Sequence, residues 1–120
     1  MSKIQKKDNF LKLIPVKNPN QKWQVNDEDN IQMIIPRMGF LDRFVRLFKK
    51  TPTRVFVDLD AIGSFVWRAI DNTKNIATIA DELENQFGSE IKPVYERLGL
   101  YINILRNNHW ITLEKEVDHG

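Results

Sequence analysis

The sequence predicts an α+β fold, a small antiparallel sheet followed by a run of helices, and two observations carry this. From Trp23 to Pro36 and again from Arg54 to Leu59, apolar residues alternate with polar ones or gather in β-branched and aromatic clusters, as in strands. From Ile62 onward they recur at spacings of three and four, as on one face of a helix. The change of period falls inside one stretch, RVFVDLDAIGSFVWRAID, at residues 54–71. Val55, Phe56, Val57 and Leu59 favour a strand. Asp60 can cap the first turn of the helix that follows, and Ile62, Phe65, Val66, Ala69 and Ile70 form its apolar stripe.

The 120 residues suit one domain with a real core. With 18 Lys and Arg against 16 Asp and Glu, the formal net charge of +2 is too small to mark a nucleic-acid protein by itself. The absence of cysteine excludes disulfides, thiolate nucleophiles and cysteine metal sites. No apolar run approaches the roughly 20 residues of a membrane span. MSKIQKKDNF at the start has charge but no apolar segment of a signal peptide behind it, so a cytoplasmic protein is expected.

Taken in order, residues 1–9 are polar and lysine-rich and are expected to form a flexible N-terminus. Phe10, Leu11, Leu13 and Ile14 form an apolar cluster before Pro15, open to reading as a helical turn or an extended lead-in. Trp23 and Val25 predict one strand; Ile31, Met33 and Ile35 predict another, ending at Pro36. The acidic residues Asp27, Glu28 and Asp29 lie between them in a turn, which makes a hairpin. These acids lack the spacing and glycine of a calcium loop and are read as a solvated turn.

Residues 37–52 are read as an insertion carrying a short basic amphipathic helix. Leu41, Phe44, Val45 and Phe48 keep helical spacing, with Arg43, Arg46, Lys49 and Lys50 around them. Such a helix can dock on a partner or, through residues 37–50, weakly on a membrane surface; the preferred reading lays it on the domain's own core. Phe40, Phe44, Arg46 and Trp67 are the candidates for docking a partner. Trp67 lies off its helix's apolar stripe, as an exposed anchor or as a cover for the insertion.

After the polar turn at residues 71–75, Ile76, Ile79, Ala80, Leu83 and Phe87 mark a second helix stopped by Gly88. A third helix is predicted with Ser89 as its cap and Pro93 in its first turn, carrying Ile91, Val94, Tyr95, Leu98, Tyr101, Ile102 and Leu105 on one broad face. Leu100 and Ile104 point elsewhere. Trp110, Ile111 and Leu113 end the domain in a brief extended piece, with a tail over 114–120. Three strands, an inserted helix and three further helices predict a winged helix-turn-helix-like domain over 10–113.

The set of Trp23, IIPR at 34–37, VDLDAIGSFVWRAID at 57–71, IADEL at 79–83, FG at 87–88, YERL at 95–98 and NNHWI at 107–111 resembles the PqqD-like family. These are peptide chaperones of pyrroloquinoline quinone biosynthesis and, more widely, recognition elements for ribosomally made precursor peptides. The resemblance implies a cytoplasmic, non-catalytic domain without cofactor. It would bind the leader of a precursor peptide and present it to a modifying enzyme, such as a radical S-adenosylmethionine protein. It also implies where. The leader would add as a strand along Arg54, Val55, Phe56, Val57, Asp58 and Leu59, beside a wall made by Tyr95, Leu98, Tyr101, Ile102 and Leu105. An exposed strand edge suits this physically, because its unpaired amides and carbonyls are in register for an extended peptide. About four backbone bonds at ~1 kcal/mol and two apolar anchors at ~2 kcal/mol give roughly −8 kcal/mol before ordering costs, which predicts micromolar binding. Proline at Val57 is expected to block it.

A Tyr, Leu and Ile stripe at helical spacing is also ordinary core; Leu98 and Leu105 are read that way first, and Tyr95, Tyr101 and Ile102 as better candidates for peptide contact. The alternative from another class is a winged-helix DNA-binding regulator. It is disfavoured because the second helix exposes Asp81, Glu82, Glu84 and Asn85, which would repel phosphate, while the third exposes a mixed set, Glu96, Arg97, Asn103 and Arg106. Catalysis finds no constellation: the two histidines, His109 and His119, build neither a metal site nor a triad, and no phosphate loop is present. No metal is expected. Asp58 and Asp60 are near enough in sequence to form a carboxylate pair, but Asp60 is assigned to capping.

Overall fold

A computed structural model describes residues 10–36 and 54–116. Its element order is β1 (Ile14–Lys17), β2 (Lys22–Val25), β3 (Ile31–Pro36), β4 (Arg54–Asp58), α1 (Ala61–Ala69), α2 (Ile76–Phe87), a 3-10 turn (Gly88–Ile91), α3 (Val94–Asn107) and β5 (Ile111–Glu114). The fold is α+β, with a three-stranded antiparallel sheet and several helices. The insertion helix expected within 37–52, and with it Phe40, Phe44 and Arg46, lies outside the described residues. No helix among the described residues is long and apolar enough to cross a membrane. The chain divides into two compact units, Pro19–Ser64 and the remainder, and α1 begins in the first and ends in the second.

The first unit is the sheet β2-β3-β4. The predicted hairpin is present, with Trp23 opposite Met33 and Val25 opposite Ile31. Its turn is tied by the Asn26 side chain, which accepts from the N–H groups of Glu28 and Asn30 (2.9 and 3.0 Å), while Asp29 takes a positive φ of 64°. Met33 lies opposite Val57 and Ile34 opposite Phe56 on the other side. Opposed residues share a face, so Trp23, Val25, Ile31, Met33, Val55 and Val57 line one side of the sheet and Lys22, Gln24, Gln32, Ile34, Phe56 and Asp58 the other. Ile31 and Met33 are fully buried.

Where β4 runs into α1, the expected corner forms. Asp60 Oδ1 accepts from the Gly63 N–H at 2.7 Å, satisfying one of the free amides of the first turn. Ser64, buried on α1, completes the end of the β3–β4 ladder. Leu59 N–H donates directly to the Ile31 carbonyl (2.8 Å), whereas Ile31 N–H donates to Ser64 Oγ (2.8 Å), and the Ser64 hydroxyl donates on to the Leu59 carbonyl (3.3 Å). Ser64→Ala would leave the amide of fully buried Ile31 unsatisfied. It should cost about 1–3 kcal/mol, read as a lower urea midpoint at unchanged slope.

The second unit holds α2, α3 and a ribbon that the sequence pattern did not foretell. Residues 10–12 are helical and β1 follows, so both readings of the Phe10–Ile14 cluster hold in part. β1 pairs antiparallel with β5, Ile14 opposite Glu114 and Lys17 opposite Ile111. α2 is capped at its start by Asn75, whose side chain accepts from the Thr78 N–H (2.8 Å), and at its end by Gly88, whose φ of 62° suits glycine. Ser89 does not cap α3. It sits in the 3-10 turn, and extended Pro93 opens α3 without a side-chain cap. Pro93 needs no N–H there. The core comprises Ile76, Ile79, Leu83, Ile91, Leu98, Ile102 and Ile111, with Trp67 and Trp110. Phe65 and Phe87 meet edge to face at 5.7 Å.

The turn between α1 and α2 is held by Asp71. Its carboxylate accepts from the Thr73 hydroxyl (2.7 Å) and from the N–H groups of Thr73 and Lys74 (3.0 Å each). These bonds favour the ionised form and lower its pKa from 3.8 to about 2. A carboxylate with a depressed folded pKa contributes stability above its unfolded value, and loses it as pH falls through the folded one. The stability gap between the wild type and Asp71→Ala should therefore close between about pH 4 and pH 2, in unfolding titrations taken across that window.

Candidate functional site

The residues expected to meet a peptide fall into two groups. On β4, Phe56 is 52% exposed and Asp58 is exposed, while Val55, Val57 and Leu59 are partly buried; the Arg54 side chain lies outside the described residues. On α3, Tyr95 is exposed and Tyr101 half-buried. Leu98, Ile102 and Leu105 are 0%, 0% and 3% exposed, which corrects their place as a contact wall: they are core. Ile102 is the instructive one, since its place on the margin of the stripe suggested contact. Trp67 is corrected in the same way. It is 1% exposed, with the Lys17 ammonium 4.7 Å from its ring centroid, and is no surface anchor. Burial beside that ring lowers the Lys17 pKa, partly offset by the charge of Asp71.

The direction of the β4 amides follows from one bond. Antiparallel pairs alternate between those that exchange hydrogen bonds and those that do not. Because Leu59 N–H bonds to the Ile31 carbonyl, the hydrogen-bonding positions of β4 toward β3 are Leu59, Val57 and Val55. The hairpin agrees: Asn26 N–H bonds to the Asn30 carbonyl, so Asn30, Gln32 and Ile34 face β2, leaving Ile31, Met33 and Ile35 to face β4. Arg54, Phe56 and Asp58 therefore turn their backbone groups outward. Val57 faces β3, and proline there would break the sheet's own ladder. The outward position is Phe56.

The chain's other edges are less open. On β1 the parity set by Asn18 N–H to the Trp110 carbonyl (2.9 Å) turns Pro15 and Lys17 outward. Pro15 has no N–H, and Lys17 donates its own to Asn72 Oδ1 at 2.8 Å. The Leu13 carbonyl before them accepts from the Ile76 N–H at 2.9 Å. That edge is closed by construction. β5 turns Ile111 and Leu113 outward; Ile111 is 1% exposed and Leu113 half-buried. β2 turns out Trp23 and Val25, both exposed. Among the described residues, then, the edges whose outward side chains are exposed are β2 and β4, the two sides of one sheet.

A polar ladder crosses the face that carries Phe56, and sequence reasoning missed it. Gln24 Nε2 donates to Gln32 Oε1 (2.5 Å), Gln32 Nε2 to Asp58 Oδ1 (2.8 Å), and Asn26 Nδ2 to the same oxygen (3.2 Å). The signal was amides at alternate positions of consecutive strands, but the register that aligns them was not legible. Asp58 and Asp60 are thus engaged separately, one in this ladder and one at the helix cap. Among the described residues no group of three or more His, Cys, Asp or Glu is placed to hold a metal ion. The second unit has a shallow cavity of about 310 Å³ lined by Phe10, Leu11, Tyr95 and Glu96. Leu100 and Ile104 stand 65% and 52% exposed on α3.

These features define a small α+β domain in which, among the described residues, no strand pairs with the outer side of β4. The chain belongs to the PqqD family: the family model described as coenzyme PQQ synthesis protein D matches residues 50–111. Membership implies, in general, the role of a peptide-binding partner in coenzyme PQQ synthesis. The match covers β4, α1, α2 and α3 and leaves β1, β2 and β3 outside. Comparison with curated proteins and with solved structures returned no match.

Proposed function

We propose that this protein is a non-catalytic, cytoplasmic peptide-binding module. It takes up the leader of a ribosomally made precursor peptide by strand addition along β4 and presents it to a modifying enzyme, such as a radical S-adenosylmethionine protein. The observation that carries this reading is the outward parity of Phe56 and Asp58 on an exposed edge strand inside the matched part of the chain. Their two N–H and two C=O groups offer four bonds of about 1 kcal/mol net each. That fits micromolar capture once peptide ordering is subtracted. A winged helix-turn-helix-like arrangement, turned from DNA to peptide, goes with this reading. The exposed positions of α2, Thr78, Asp81, Asn85 and Gln86, carry no cation, which counts against the DNA alternative.

Dodecapeptides selected from a random displayed library on the full chain provide the probe. Amide exchange at Phe56 and Asp58 should slow at least tenfold when a selected peptide is bound, whereas Val57, already bonded to β3, should change little. Equal rates with and without peptide at Phe56 and Asp58 would remove β4 as the binding edge. Steep, salt-dependent binding of random duplex DNA would instead support the regulator.

A further inference from the structure

The face of the sheet that carries Phe56 has two rows that end at the open edge with opposite chemistry. Lys22, Ile34 and Phe56 stand in one row, and it ends in an exposed phenyl ring beside half-buried Ile34. Gln24, Gln32 and Asp58 stand in the next, and it ends in a carboxylate. That carboxylate is positioned: Gln32 and Asn26 both donate to Oδ1, and no described group bonds to Oδ2. The amide of Gln24 holds Gln32 in turn. An exposed carboxylate fixed by two donors at the rim of an edge strand is a charge offered to whatever pairs there.

We infer that β4 reads its peptide at two positions two residues apart: a large apolar residue opposite Phe56 and a lysine or arginine opposite Asp58. This rests on the strand-addition reading above and names the peptide class it would take. The geometry follows from strand pairing alone. Residues directly opposite across a ladder share a face with Cβ atoms about 4.5–5.5 Å apart. The sheet is antiparallel throughout, and a peptide that continues it runs antiparallel to β4. The residue opposite Asp58 then precedes the one opposite Phe56, so the sequence read is cation, any residue, apolar. The residue between them points to the other face, against Val57. Apolar contact supplies affinity, and the exposed ion pair adds a modest, salt-screened preference.

Selection of random dodecapeptides on the wild type should enrich lysine or arginine two residues before a large apolar residue. Replacing that cation by alanine in a selected peptide should weaken binding about two- to fivefold, the range of an exposed ion pair. Selection on Asp58→Lys should enrich aspartate or glutamate there instead. Asp58→Asn, which keeps the acceptor for Gln32 and Asn26, should lose the cation preference while retaining the apolar one, and it covers the event that Asp58→Lys does not fold. The same residue distribution on wild type and Asp58→Asn, or enrichment in the reverse order, overturns the inference while leaving strand addition intact. Undiminished selection on folded Phe56→Pro overturns strand addition itself, and this inference with it.

Discussion

Phe56→Pro should abolish peptide binding and leave the domain folded, whereas Val57→Pro should unfold the sheet. The two positions are neighbours on one strand, and the contrast comes from where their amides point. Phe56 lies in a pair that does not exchange bonds with β3, so its N–H faces the open edge and proline removes nothing from the native ladder. The fixed φ of proline and its restriction on Val55 both suit extended chain. What is lost is a donor to the incoming peptide, and the ring also blocks close approach. Phe56→Ala, which keeps the N–H, separates the backbone from the side-chain effect and should weaken binding only in part. Val57 N–H faces Met33, in the middle of the β3–β4 ladder, and proline there costs a native bond and its geometry, about 3 kcal/mol or more. Val25→Pro is the control: its N–H leaves the opposite edge of the sheet, so a peptide on β4 should bind it as it binds the wild type. The readouts are fluorescence anisotropy of a selected peptide and thermal unfolding of each variant. A folded Phe56→Pro with wild-type affinity would remove the β4 edge from the mechanism.

The second large effect is on stability. Ile102→Ala should destabilise the protein by about 2–5 kcal/mol, as expected when a fully buried side chain is truncated and the cavity only partly collapses. Its neighbours on the same buried face of α3 are Leu98 and Leu105. Had Ile102 faced a peptide, its truncation would have weakened binding with little effect on folding. Here the urea midpoint should fall with little change in slope, while the residual folded protein keeps its affinity. A loss of affinity at unchanged stability would place Ile102 at the binding surface after all.

Much of this protein is determined locally and can be read from the chain. The hairpin around Asn26 and Asn30, the capped start of α1 at Asp60 and the stop of α2 at Gly88 each depend on residues within a few positions of one another. Periodicity and capping are short-range effects, so the sequence by itself determined β2, β3, β4 and the helices α1, α2 and α3, while the Phe10–Ile14 cluster leading into β1 read equally as helix or extended chain. Only the tertiary structure decided the rest. Ile14 finds Glu114 across nearly the whole chain, and no local pattern names that partner. Whether Ile102 is core or surface depends on what packs over the margin of its helix, which helical spacing leaves open. The parity of β4 depends on register with β3: a shift of one residue would turn the amides of Val57 outward and those of Phe56 inward with the same sequence. The register is held by apolar Trp23, Met33 and Val57 aligned on one face, by the amide ladder ending at Asp58 on the other, and by Ser64 closing the end of β3 and β4. Strand identity is a local property and edge chemistry is a property of pairing, which is why the first was legible and the second was not.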